Sequence, residues 1–258
     1  MIHLKKAVRS FVQSKYLDLF GAALVLVISI YNQYHLTYYF QGNVKFEVPF
    51  SEQIALIKQG AFPLGIFSTI GAVFSLLSTR FVGKQNNVGN IIGVFTTINS
   101  GAIDYFLGNH SAAITYPLTF IITYFAVIKW KKGEKIRKID FNYYLINSVG
   151  LVLGYLLVYI GTEIFGGRDD LLFFNIVSIT FGLSLGANFS SALKYETTFL
   201  SWTIYNVVQL IKAFLQLNIA NIAKYIFYMI NAAITLGDWI WNRDVRKKSS
   251  IVLAKIKN

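Results

Sequence analysis

The chain has 258 residues, 55% of them hydrophobic and 14% charged, where an ordinary soluble domain carries roughly 25% charged residues. Its 16% of Phe, Trp and Tyr excludes a disordered chain, and the lack of Cys excludes a disulfide framework, a thiol nucleophile, a haem attachment or a Cys zinc site. A mean hydropathy of +0.51 with long apolar runs points to an integral membrane protein, so the net charge of +12 has to be judged by where the charges lie.

Eight apolar stretches approach the ~20 residues that a bilayer requires. They cover 17–36, 61–82, 88–107, 112–130, 143–165, 171–192, 197–217 and 220–240. Lipid offers backbone groups no partner, and the strands of a barrel would alternate in polarity, so the fold class is an all-α membrane bundle. The first run follows Lys5, Lys6, Arg9 and Lys15 but ends without a small-x-small cleavage site, so it reads as an uncleaved first helix. Between the first and second runs, 41–59 forms an outer loop. Its Phe46, Val48, Phe50, Ile54, Leu56 and Ile57 suit either the membrane interface or an ordered connection.

With the N-terminus inside, nineteen Lys and Arg fall in inner segments and only Lys45, Lys58 and Arg168 in outer ones. Lys212 and Lys224 stay within spans. This positive-inside split places both termini in the cytoplasm and removes the main support for nucleic-acid binding. A shift of 111 residues brings Gly71 onto Gly182 and Trp130 onto Trp241. The expected plan is therefore a 3+1+3 parallel repeat with the substrate site between the halves. Its segments are 1–60 (N-terminal segment, first span and outer loop), 61–130 (first triplet), 131–170 (basic inner loop and linker span), 171–241 (second triplet) and 242–258 (basic tail).

Several spans carry polar residues. Trp202, Asn206 and Gln209 share one helical face, and a ring plus amides is what a nucleobase requires; interhelical packing is the competing use. Lys224, Tyr228, Asn231, Thr235 and Asp238 form a stripe along the last span, which must face the bundle or a water-filled path. Tyr228 and Asn231 are the expected ligands there, with Lys224 and Asp238 snorkelling or capping near the ends. Asp104 and Lys212 lie at similar depth and either pair or line a vestibule. Asn90 and Asn99 lie on opposite faces of their span, so both line one path only if that helix breaks. Pro117 reads as an early-turn Pro or a hinge. Gly89-x-x-x-Gly93, Gly150-x-x-x-Gly154 and Gly182-x-x-x-Gly186 permit close helix approach. Signatures of a membrane enzyme are lacking: there is no His-Glu-x-x-His, Gly-x-Ser-x-Gly or phosphate loop, and Asp169-Asp170 suits a solvated turn. No metal site, cofactor or ATP-driving domain is expected.

Gly71 to Arg80, Asn86 to Gly93, Tyr105 to Asn109 and Trp130-Lys131-Lys132-Gly133 resemble the first half of PnuC-type vitamin transporters. Trp202 to Asn206 resembles the end of the family's Trp-x-x-Trp-x-x-x-Asn motif, and Tyr225 through Asn231 to Trp241 its last helix. The resemblance covers about 61–245. It implies the SWEET-related 3+1+3 core, a homotrimer in a bacterial cytoplasmic membrane, and facilitated diffusion made one-way by a cytosolic kinase. Members carry nicotinamide riboside, thiamine, riboflavin or deoxyribonucleosides. Here Phe199 replaces the first Trp of the pair, Asn90-Ile91 replaces a Trp-Pro, and Tyr116 replaces a Gln. Nicotinamide riboside is a cation and Trp is the best cation–π face, so these losses favour a neutral nucleoside, above all a deoxyribonucleoside. The site residues expected on this basis are Trp202, Asn206, Gln209, Tyr228, Asn231, Asn90, Asn99, Asp104 and Tyr116. A binding subunit of a larger transport complex is the alternative of another class.

Overall fold

The computed structural model describes residues 2–132, 136–168 and 170–256, with side chains for 3–132, 136–168 and 170–241. Gly133 of the Trp130 motif, Asp169 and the tail side chains fall outside the described residues. Among the described residues ten α-helices form: α1 (Ile2–Gln13), α2 (Lys15–Tyr31), α3 (Phe50–Lys58), α4 (Leu64–Gly83), α5 (Val88–Phe106), α6 (Ala112–Lys131), α7 (Phe141–Phe165), α8 (Leu171–Ala192), α9 (Thr198–Leu215) and α10 (Ile219–Ile256). Each of the eight apolar stretches is helical. Five helices, α4, α6, α7, α8 and Ile219–Trp241 of α10, are long and apolar enough to cross a bilayer. The pair His3–Gln13 and Lys15–Tyr31, bent by 52°, makes a sixth candidate when taken together. In α5 and α9 the hydropathy is diluted by Asn90, Asn99 and Asp104 and by Asn206, Gln209 and Lys212.

Local chemistry sets the helix starts. Ser14 accepts from the Tyr16 N–H at the break between α1 and α2. Asp140 caps α7 by accepting from Tyr143 N at 3.0 Å, and Asp170 caps α8 by accepting from Phe173 N at 2.9 Å. The bond from Phe173 holds the exposed Asp170 carboxyl below the usual carboxylate range. The outer loop is ordered. Strand β1 (Tyr38–Phe40) pairs antiparallel with β2 (Asn43–Lys45) across a tight turn in which Gln41 and Gly42 both take positive φ. Tyr39 also exchanges two 2.8 Å backbone bonds with Phe62, which ties the hairpin to the start of α4. In this loop Val48 is buried, whereas α3 leaves Phe50, Ile54 and Ile57 exposed.

The helices close a ring: α4 packs on α5, α5 on α6, α6 on α8, α8 on α9, α9 on α10, and α10 back on α4. Outside it, α7 lies against α8 and α6, and α2 against α4 and α10. The α7–α8 contact is set by glycine. A Cβ on Gly154 would lie 2.5 Å from the Gly182 Cα, and one on Gly150 would lie 2.9 Å from Gly186 N. The two helix backbones therefore touch with nothing between them.

Two parts of the ring repeat each other in detail. After α4, Asn86 N donates to Phe81 O and Gln85 has φ 59°; after α8, Tyr195 N donates to Ser190 O and Lys194 has φ 56°. After α5, Asn109 N donates to Asp104 O; after α9, Asn218 N donates to Ala213 O. Trp130 Nε1 donates to Ser191 O at 3.1 Å, and Trp239 Nε1 to Gly83 O at 2.9 Å. Matched turn residues and the two Trp are 109 positions apart, not 111. Trp130 thus corresponds to Trp239 rather than Trp241, and Gly71 to Thr180 rather than Gly182. A two-residue slip turns a helix by about 200°. Trp130 and Trp239 are accordingly both buried, while Trp241 is 42% exposed.

Candidate substrate cavity

A cavity of about 160 Å³ lies inside the ring, lined by side chains from all six of its helices. Its walls obey the same register: Ser75 and Ser184, Thr79 and Asn188, Gly93 and Trp202, Thr96 and Tyr205, Ser100 and Gln209, Tyr116 and Tyr225, and Thr119 and Tyr228 are each 109 apart, and all line it. Several of the threonines return their protons to their own helices. Thr79 donates to Ser75 O, Thr119 to Thr115 O and Thr123 to Thr119 O. This hides the donors and leaves oxygen lone pairs for the lumen.

One aromatic wall runs along α9 and α10. Trp202 meets Tyr205 edge-on at 5.1 Å, Tyr205 meets Tyr225 at 6.2 Å, and Tyr225 meets Tyr228 at 5.7 Å. Near-perpendicular rings of this kind are mutually favourable and rigid. Gln209 Nε2 donates to Tyr205 Oη at 2.6 Å, and Tyr228 Oη lies 2.9 Å from Ser75 Oγ. Toward the Trp130–Trp239 end, Trp202 and Phe199 join those two rings in one apolar cluster.

Toward the other end, Asp104 is the centre of a polar plug. Its Oδ2 accepts from Lys212 Nζ at 2.8 Å, from Asn109 Nδ2 at 2.6 Å and from Tyr116 Oη at 3.3 Å, and its Oδ1 from Gln216 Nε2 at 2.7 Å. Asp104 and Lys212 are both buried. The pair links α5 to α9 across the ring.

Of the residues singled out in the sequence, Trp202, Gln209, Tyr228, Asn90, Asp104 and Tyr116 line this cavity. Three others do not. Asn231 is buried behind the wall, where its Oδ1 accepts from Arg80 Nη1 at 2.6 Å. Asn206 is turned into the packing, with its Oδ1 lacking a partner among the described residues. Asn99 donates to Phe67 O at 3.1 Å and borders a separate void of about 20 Å³. Because Asn99 serves another contact, α5 needs no break and runs unbroken from Val88 to Phe106. Lys224 does not snorkel: it is buried and faces the cavity.

Sequence reasoning missed Tyr205 and Tyr225, although Trp202-x-x-Tyr205 shares a face with Gln209. It also missed the hydroxyl stripe of Thr115, Thr119 and Thr123, whose four-residue spacing was visible. Arg80 was counted only as an inner charge. It is buried and bonds Asp18 Oδ1 at 2.7 Å and Val12 O at 2.6 Å as well as Asn231. Lys84 also bonds Asp18, so the α1–α2 elbow is fastened to the α4–α10 seam. No cluster of three or more His, Asp or Glu able to hold a metal occurs among the described residues.

The sequence profile of the family described as "Nicotinamide mononucleotide transporter" matches residues 65–241, the whole ring. The chain belongs to this family. It is a multi-pass membrane protein of a transporter family, with a cavity inside its helical ring. Among solved structures it is similar to one titled "Crystal structure of the Vitamin B3 transporter PnuC". The TM-score is 0.56 over 86% of this chain and 90% of that one, at 15% sequence identity, a likeness of fold. A comparison with curated protein sequences finds no match.

Proposed function

We propose that this family member is a uniporter for a nucleoside-like molecule, in the first place a deoxyribonucleoside. On this reading α4–α6 and α8–α10 are parallel repeats joined by α7, and with α2 the chain crosses the membrane eight times. The observation that carries the reading is the cavity between the matched triplets, with its aromatic wall and its amide and hydroxyl lining. A nucleoside offers both a flat ring and polar edges to such a wall. The volume is close to the engineered cavity of about 150 Å³ that admits one benzene ring. It suits a base better than a whole nucleotide. The site residues on this reading are Trp202, Tyr205, Gln209, Tyr225, Tyr228, Asn90 and Tyr116, with Asp104 holding the plug. Net import comes from phosphorylation by a cytosolic kinase, in a homotrimer of the bacterial cytoplasmic membrane with both termini inside.

A second reading is transport of nicotinamide riboside or its mononucleotide, favoured by the description of the family. It requires a cation site, and this cavity has Phe199 and Asn90 where the family pattern has Trp. Purified protein in liposomes separates these readings. Labelled thymidine should equilibrate across the bilayer faster than nicotinamide riboside, unaffected by a pH gradient or a valinomycin potential. Accumulation above the outside concentration without a kinase would refute uniport. Lack of uptake by a protein that still binds thymidine would favour a binding subunit.

A further inference from the structure

The charges lining the cavity do not balance. Among the described residues they are Asp104, Lys212 and Lys224. Both oxygens of Asp104 are occupied by Lys212, Asn109, Tyr116 and Gln216, and the ion pair is formed with Lys212. Lys224, in the second turn of α10, is 4% exposed, and its Nζ makes no hydrogen bond or ion pair among the described residues. Its neighbours are two ring faces, Tyr225 with its centroid 4.3 Å away and Tyr228 at 5.8 Å. The rings hold the ammonium in place by cation–π attraction but do not accept its protons in hydrogen bonds. A buried ammonium without an acceptor is costly unless something else completes its shell. Since Nζ borders the lumen, water or a solute there can supply that partner, and a bound substrate must replace the water it displaces.

We infer that Lys224 determines specificity, selecting a neutral substrate that presents a carbonyl oxygen, a keto-type nucleoside, and rejecting cations. The inference rests on the nucleoside reading above and narrows it. A carbonyl oxygen beside Nζ gives the ammonium its acceptor while the base lies against the Tyr225 and Tyr228 edges of the wall. A pyridinium or thiazolium ring in the same place brings a second positive charge to a site that already carries one in excess. A phosphate would also satisfy Lys224, but it adds bulk beyond base and sugar to a cavity of only about 160 Å³. The order of affinity should therefore be thymidine, then its monophosphate, with the cations last.

The test is calorimetry on the full chain in detergent with thymidine, thymidine 5′-monophosphate, nicotinamide riboside and thiamine. Wild type should bind thymidine best and the two cations at least 10-fold more weakly. Lys224→Met should weaken thymidine by roughly 10- to 150-fold, the loss of one hydrogen bond to a charged donor. It should not weaken the cations, and Lys224→Arg should preserve the order. If Lys224→Met leaves both thymidine affinity and the ranking intact, the inference falls and the nucleoside reading stands. A wild type that prefers a cation or the monophosphate overturns the inference without any variant, so it stays testable even if Lys224→Met does not fold. Silence from all four ligands on folded protein would sink both.

Discussion

Replacing Asp104 by Asn keeps the shape of the plug and removes its charge. Lys212 then loses the one carboxylate it pairs with among the described residues, Asp104 Oδ2, and keeps at most a neutral amide oxygen there. The new amide also turns a donor toward Asn109, Gln216 or Lys212, all of them donors at this site. Leaving one charge of a buried pair uncompensated costs about 3–5 kcal/mol. At roughly 2–4 °C per kcal/mol for a chain of this size, the melting temperature should fall by about 6–20 °C. Lys212→Met should cost less, because the Asp104 carboxylate keeps Asn109, Gln216 and Tyr116 as donors. The double variant Asp104→Asn with Lys212→Met should recover most of the loss, since exchanging both partners of such a pair for neutral groups is often close to neutral. Thermal unfolding of the four purified proteins in one detergent, with size exclusion to check that each is monodisperse, completes the cycle. An Asp104→Asn protein melting within 2 °C of wild type would show that the pair does not hold the triplets together. A double variant as unstable as the sum of the singles would show that the two residues are not coupled.

Trp202→Ala should weaken binding of whichever nucleoside the cavity takes by roughly 5- to 150-fold, from about 1–3 kcal/mol of lost stacking, and unchanged affinity in calorimetry would remove Trp202 from the site. Gly154→Ala forces a methyl against the Gly182 backbone and should destabilise by about 1–3 kcal/mol; an unchanged melting temperature would mean that α7 and α8 separate easily. The natural chain has no Cys, so single Cys residues report topology cleanly. Glu52→Cys should react with an impermeant thiol reagent on intact cells and Lys131→Cys should not, and the reverse pattern would invert the proposed orientation.

The helices were legible because lipid leaves the backbone no alternative to the helix, and most of the apolar runs fall within a few residues of the observed bounds, although α10 runs past its apolar stretch to Ile256. The 111-residue shift missed the register of the matched turns and Trp residues, which is 109. Matching scarce residues such as Gly71 with Gly182 ignores helical phase, whereas the turn hydrogen bonds of Asn86 and Tyr195 fix it. Asn231 shows a different limit. Its face on α10 was readable from spacing, but its partner Arg80 lies 151 positions away on α4, and only the fold brings the two together. Lys224 looked interfacial because it is near the start of its helix. That start is itself enclosed by protein, since Asn218 just before it is fully buried and accepts from Ser68 Oγ at 3.0 Å. Its amine is therefore shielded from the outer surface and turns to the lumen.

The chain has four Trp residues, and three of them, Trp130, Trp202 and Trp239, belong to one cluster. Trp202 carries that cluster to the cavity wall, while Trp241 stands apart on the outer surface. Most of the intrinsic emission of the protein therefore originates within contact distance of one end of the lumen. The Tyr205, Tyr225 and Tyr228 rings lie beside it and can pass their excitation on. A flat molecule settling against Trp202 should quench this light directly, whereas a lipid or detergent change should act mainly on Trp241. Occupancy of the cavity can thus be followed in real time, without a label and in a membrane, with Trp241→Phe removing the background.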